Sequence, residues 1–179
     1  MTSTQTLSGE RADLLDTLAQ HRFFLRNTTR DLTGEQTGRR TTVSALCLGG
    51  LIKHVAHVEE VWVRFIESGP KAMTGNGKAW SEWTGEDYAQ RETTFQMLPG
   101  ETLTGVLAHY QDIARHTDEL IATHPDLDLS QPLPDAPWYP PGTSWTVRRA
   151  LVHILAEIAQ HAGHADIIRE ALDGAKTMG

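Results

Sequence analysis

Cysteine is nearly absent: Cys47 is the only one in 179 residues. A lone thiol closes no internal disulfide, so the fold must rest on its core. Long hydrophobic runs are missing too. No stretch approaches the roughly 20 apolar residues that a membrane span needs. Basic charge is scarce, with 16 lysines and arginines against 23 acidic residues and a net charge of −7. Such a chain has little with which to neutralise a phosphate backbone, which argues against general nucleic-acid binding. The opening MTSTQTLSGERADLL holds no basic segment followed by an apolar one, so no secretory signal is expected. With the single cysteine, this points to the cytoplasm.

What the chain does have is helical periodicity. Its hydrophobic fraction of 39% suffices for one core, and residues 1–179 read as one domain. A first helix is expected from Ser8 to Arg30, with Leu14, Leu15, Leu18, Phe24 and Leu25 as its apolar stripe. LTGEQTGRRTTV reads as a loop. Ser44 is a suitable N-cap for a second helix that runs to Ser68 and ends at Gly69 and Pro70. A Gly-, Thr- and Trp-rich stretch follows to Gly100, with a short helix near Glu86 to Thr93. A third long helix spans Thr102 to Thr123. The crossing QPLPDAPWYPPGTSW is too rich in proline to be helical. The fourth begins near Thr143 or Ser144 and ends near Gly174. No run alternates as a strand does. Four long helices with two substantial connections predict an all-α four-helix bundle that is not simply up-down-up-down.

Nine histidines are present, and their placement says more than their number. In EIAQHAGHADIIRE, Glu157 and His161 stand four residues apart, one turn above each other on one helix face. At 100° per residue both fall at the edge of the apolar side of the fourth helix. His54, in GGLIKHVAHVEEVW, takes a matching position on the second. A carboxylate and two imidazoles beside an apolar core are costly unless paired or bound to a cation. One divalent ion satisfies all three, with an open position left over. His54, Glu157 and His161 are therefore the candidate metal ligands. Two imidazoles and a carboxylate suit zinc, nickel or iron, and zinc is the first choice because it tolerates an open fourth position.

Other residues are read more plainly. His153 and His164 fall towards the polar side as outer groups, and His164 is the alternative ligand if Glu157 points elsewhere. Asp166, Arg169 and Glu170 suit ion pairs. Trp80, Trp83, Trp138, Tyr139 and Trp145 lie in or beside the irregular connections, where they either roof a ligand pocket or pin the loops. Cys47 is a small buried residue two turns before His54. Arg148 and Arg149 either hold an acidic ligand or sit solvated at a helix start. The remaining histidines, including His57 and His116, have no evident partners.

SALCLGGLIKHVAHVEEVW and RRALVHILAEIAQHAGHADIIREALDG resemble the second and fourth helices of the DinB/YfiT-like superfamily, and more closely its actinobacterial branch. ERADLLDTLAQHRFFLRNTTRDLTGEQ fits as well, so the resemblance covers nearly the whole chain. Gln160 stands where that branch has an arginine. The resemblance implies an up-down-down-up bundle, a homodimer, and a divalent metal at the positions of His54, Glu157 and His161. Many relatives have histidine at the place of Glu157, which here adds a negative charge and softens the ion's Lewis acidity. Glutamate there resembles the mycothiol-dependent maleylpyruvate isomerases. The function so implied is transfer of a low-molecular-weight thiol such as mycothiol to a small electrophile, or isomerisation of one. A metal-binding dimer without turnover, in stress response or sensing, is the alternative.

Overall fold

Six α-helices, three short 3-10 turns and one small β-ribbon are the regular elements among the described residues. The structure is a computed structural model and describes residues 7, 9–73, 78 and 80–177. The expected first helical residue, Ser8, most of the opening segment and part of the Trp-rich stretch lie outside the described residues.

Four helices are long: α1 (Gly9–Asn27), α3 (Leu48–Ser68), α5 (Leu103–Thr123) and α6 (Val147–Asp173). Helix α1 packs on α5 and α6, and α3 packs on the same two. Their stripes meet in one core. Leu18 and Leu25 of α1, Leu51, Ile52 and Phe65 of α3, Tyr110 and Ile121 of α5, and Leu151, Ile154 and Ile158 of α6 are all buried. Leu14, Leu15, Phe24, Val58 and Leu155 pack around it, partly buried.

Helix ends follow local chemistry. Thr102 caps α5 through its side-chain oxygen, which accepts from Gly105 N–H. Gly69 and Gly174, both at φ 79°, terminate α3 and α6 in a backbone region that L side chains avoid. The short α4 (Gly85–Glu92) begins with a reciprocal Thr84–Asp87 capping box.

Four expectations need correction. The segment after α1 is not all loop: Thr33 and Gln36 form a capping box that starts α2 (Gly34–Gly38). Ser44 does not cap α3, which begins at Leu48 after Cys47; the Ser44 hydroxyl accepts from Leu46 N–H instead. The fourth long helix starts not at Thr143 or Ser144 but at Val147, where Thr146 accepts from Arg149 N–H. Ser144–Thr146 forms β2, antiparallel to β1 (Ser130–Pro132), in register Gln131 with Trp145. Three-residue strands are too short to show alternation, so periodicity could not reveal them. The ribbon has a role: Gln131 Nε2 donates to the carbonyls of Phe65 and Ile66, at 3.3 and 2.9 Å, and satisfies the last turn of α3.

Close approach explains the start of α3. A Cβ added at Gly50 would stand 1.9 Å from the carbonyl oxygen of Phe95. Only glycine lets the turn Thr93–Phe95 lie on the first turn of α3. That contact brings Phe95 to the candidate site.

Candidate functional site

Helices α3 and α6 bring His54, Glu157 and His161 together. One ligand atom from each stands within 4.8 Å of the others, and no other group of three or more such residues is found among the described residues. Donors that share one zinc ion stand about 3–3.5 Å apart, so a modest side-chain rotation closes the set. Glu157 is half-buried, its side chain 26% exposed. Its Oε2 lies 3.5 Å from His161 Nε2 and its Oε1 3.5 Å from His153 Nε2.

His54 is the most enclosed of the three, 7% exposed. Phe95 stacks on its ring at 3.9 Å between centroids, and His161 meets it edge-on at 4.9 Å. Burial, then the neighbouring His161, push the His54 pKa down to about 3, so the imidazole is neutral near pH 7. Neutral imidazole is the form that ligates a metal. The Glu157 carboxyl is held below its ordinary value, first by the hydrogen bond with His161 and against the cost of burial. The donor set is thus two imidazoles, one neutral at pH 7, and an ionised carboxylate.

Three buried side-chain polar atoms have no hydrogen-bond partner among the described residues: His54 Nδ1, Trp83 Nε1 and Tyr110 Oη. An orphaned buried polar atom is costly and calls for a partner. Two of the three belong to residues lining one cavity of about 670 Å³, which also reaches Glu157 and His153. Tyr110 lies in the core on α5.

Both outer histidines stand behind the three donors rather than among them. His153 lines the cavity beside Glu157 and meets Trp62 and Trp145 edge-on at 4.8 and 5.2 Å. His164 Nδ1 lies 3.4 Å from His161 Nδ1, outside the group of three donors. Cys47 is buried with its Sγ 3.8 Å from the Phe95 carbonyl, and is not one of the donors. Arg148 pairs with Glu10 and Asp128, so it is engaged in holding helix starts together. Arg149 covers the Trp145 ring at 4.5 Å. His116 does have a partner, Glu67, at 2.7 Å.

Phe95 was missed entirely. The Gly49–Gly50 pair was its only signal, marking a close backbone approach without naming the visitor.

A second buried polar cluster was also missed. Glu59 of α3 is fully buried and accepts from Arg22 of α1, through Nη2 and Nε, and from Thr117 Oγ1 of α5 at 2.6 Å. Arg22 Nη1 reaches Asp118 at 2.7 Å. This network ties three helices together. Arg169, also buried, donates to the carbonyls of Thr28 and Arg30 at 2.8 Å and closes the turn after α1.

The whole describes a helical protein with a three-donor site of metal-binding type at the floor of an aromatic cavity. The chain belongs to the mycothiol-S-transferase family, a DinB-like family whose model matches residues 13–174. Among solved structures it is similar to a conserved protein of a locus from Enterococcus faecalis. That match has 13% identity and a TM-score of 0.68, over 95% of this chain and all of the other; it shows the fold alone. No curated protein sequence matches the chain.

Proposed function

We propose that the protein is a metal-dependent transferase that joins a low-molecular-weight thiol, mycothiol or a close analogue, to a small electrophile. The observation that carries this reading is the convergence of His54, Glu157 and His161 from two helices beneath a cavity wide enough for an organic ligand. Family membership supports the thiol. The four-helix bundle in up-down-down-up order belongs to the same reading, supported by the four long helices and by the fold likeness.

The three side chains would hold a divalent ion, with zinc first by ligand type and nickel or iron as alternatives. Such an ion supplies a Lewis acid that favours ionisation of a thiol beside it. The chain does the rest. His54 and His161 present imidazole nitrogens, and Glu157 offsets the positive charge. Phe95 stacks on the His54 ring and fixes its plane, and His153 steadies Glu157 from the other side. In the reaction the thiol sulfur forms a bond to an electrophilic carbon. The leaving group departs with its electron pair, and the thiol proton passes to solvent. Where the electrophile is an alkene, addition and later loss of the same thiol gives isomerisation.

Phe23 on α1 and Val152 and Ile167 on α6 are exposed apolar side chains on adjoining helices, which supports a homodimer. A cytoplasmic setting suits a thiol-dependent reaction. No helix among the described residues is long and apolar enough to cross a membrane.

The test is metal analysis of purified protein together with a mycothiol transfer assay on monochlorobimane. The reading requires bound metal and turnover, both lost in His54→Ala and His161→Ala. Activity that survives both substitutions would refute it. Metal without turnover across several electrophiles would favour the sensing or sequestering dimer.

A further inference from the structure

The chain has five tryptophans, and all five line the cavity above the three donors. They form two groups. Trp62 and Trp145 stack nearly parallel, 10° apart with centroids at 4.7 Å. Trp80 and Trp83 stack at 3.9 Å, and Trp138 meets Trp80 edge-on at 4.7 Å. Tyr139 joins the groups, touching Trp138 and Trp145. Trp62 and Trp145 also belong to the buried core, whereas Trp80, Trp83 and Trp138 do not. Five around one space make a wall that favours a flat ring, because indole faces gain most from offset or edge-on contact with another π-system.

The same wall carries two donors that can face a ligand. Trp83 Nε1 is a buried donor without an acceptor among the described residues. Arg91 of α4 is the one lysine or arginine among the described residues that line the cavity, and it is exposed. The carboxylates nearby are engaged elsewhere. Asp87 accepts from Thr84 N–H at 2.7 Å and from Lys78 at 3.0 Å, and Glu157 lies between His153 and His161. The wall therefore offers a cation and an N–H to whatever enters, and asks for acceptors in return.

We propose that the electrophile taken by this site is a flat aromatic or conjugated ring carrying a carboxylate or similar anionic group, with the ring among the indoles and the anion on Arg91. The word electrophile rests on the thiol-transfer reading; the ring and its charge rest on the cavity alone. Acceptor atoms elsewhere on the ring, such as a nitro or carbonyl oxygen, satisfy Trp83 Nε1.

The test is isothermal titration of the full chain, with a chelator present so that no carboxylate binds a metal. Four unreactive probes are used: 2-naphthoate, its neutral isostere 2-naphthamide, cyclohexanecarboxylate and glucose. 2-Naphthoate is expected to bind about tenfold more tightly than 2-naphthamide, the scale of one hydrogen-bonded charge. Cyclohexanecarboxylate is expected to bind more weakly than either. Arg91→Gln should abolish the preference for naphthoate and leave naphthamide unchanged. Trp80→Leu should weaken both naphthyl probes. Equal binding of acid and amide, or a preference that survives Arg91→Gln, overturns the anionic group. Glucose or cyclohexanecarboxylate binding as tightly as naphthoate overturns the flat ring. The probes have no leaving group and need neither thiol nor ion, so these outcomes are independent of the transfer assay.

Discussion

Helix α3 carries two buried polar groups five residues apart, and they have opposite fates. Glu59 is fully buried, and Arg22 and Thr117 satisfy it from two other helices. His54 is almost as deep, yet its Nδ1 has no partner among the described residues, although Phe95, His161 and Glu157 stand beside the ring. Both groups cost desolvation. At Glu59 the cost is offset inside the fold, so the cluster acts as a clamp between helices. At His54 no side chain among the described residues offsets it, which fits the ligand role proposed for that imidazole.

The comparison breaks first at the clamp. Glu59→Ala leaves the buried Arg22 guanidinium with only the half-exposed Asp118 and is expected to destabilise the protein by about 3 kcal/mol. Urea denaturation measures it. A loss as small as that of an average surface change would mean that the network is dispensable.

The next effect belongs to the open site. Zinc added to about 100 times its Kd should stabilise the wild type by about 2.7 kcal/mol, read as a rise in Tm. The same addition should leave His54→Leu unmoved. Equal rises in both proteins would place the ion elsewhere.

Gly50→Ala tests how Phe95 reaches the site. The new Cβ would meet the Phe95 carbonyl at 1.9 Å, and we expect a loss of about 1–3 kcal/mol. Zinc affinity should fall as well, because the ring stacked on His54 is displaced.

The smallest effect sharpens the contrast most. Without metal, His54→Leu should change stability at pH 7 by no more than about 1 kcal/mol, since it removes an unsatisfied group. Its signature is in the pH dependence. Burial lowers the His54 pKa from 6.5 to about 3, so in that window the unfolded chain takes up a proton there and the native chain does not. The stabilisation is fully present above pH 6.5 and drains as pH falls towards 3. The wild type should lose about 1 kcal/mol per pH unit more than His54→Leu between pH 6 and pH 4. Parallel curves would show that His54 titrates normally.

Much of this was legible in advance because it is local. The stripes of α1, α3, α5 and α6, the Thr102 cap and the Gly174 stop are each written within a few neighbouring residues. So is the turn that sets Glu157 beside His161. The Thr33–Gln36 capping box was equally local and was overlooked. The start of α3 was misjudged because it depends on Phe95, 45 positions further along than Gly50. That His153 packs on Trp62 and Trp145 could not be read in advance, because a helical wheel fixes an angle but not what packs against it. The cavity wall comes from Trp62 to Trp145, and no window of sequence holds both.

By itself, then, the chain determined which segments coil, where most of them stop, and which ionisable side chains share a helical face. Those follow from backbone hydrogen bonding and a 3.6-residue repeat, whose range is a turn or two. Only tertiary packing decided that Glu59 finds its cation while His54 Nδ1 has no partner among the described residues, and that five indoles line the cavity beside it. Partners tens of residues apart are chosen by which surfaces fit once the helices dock, and that fit is a property of the assembled core.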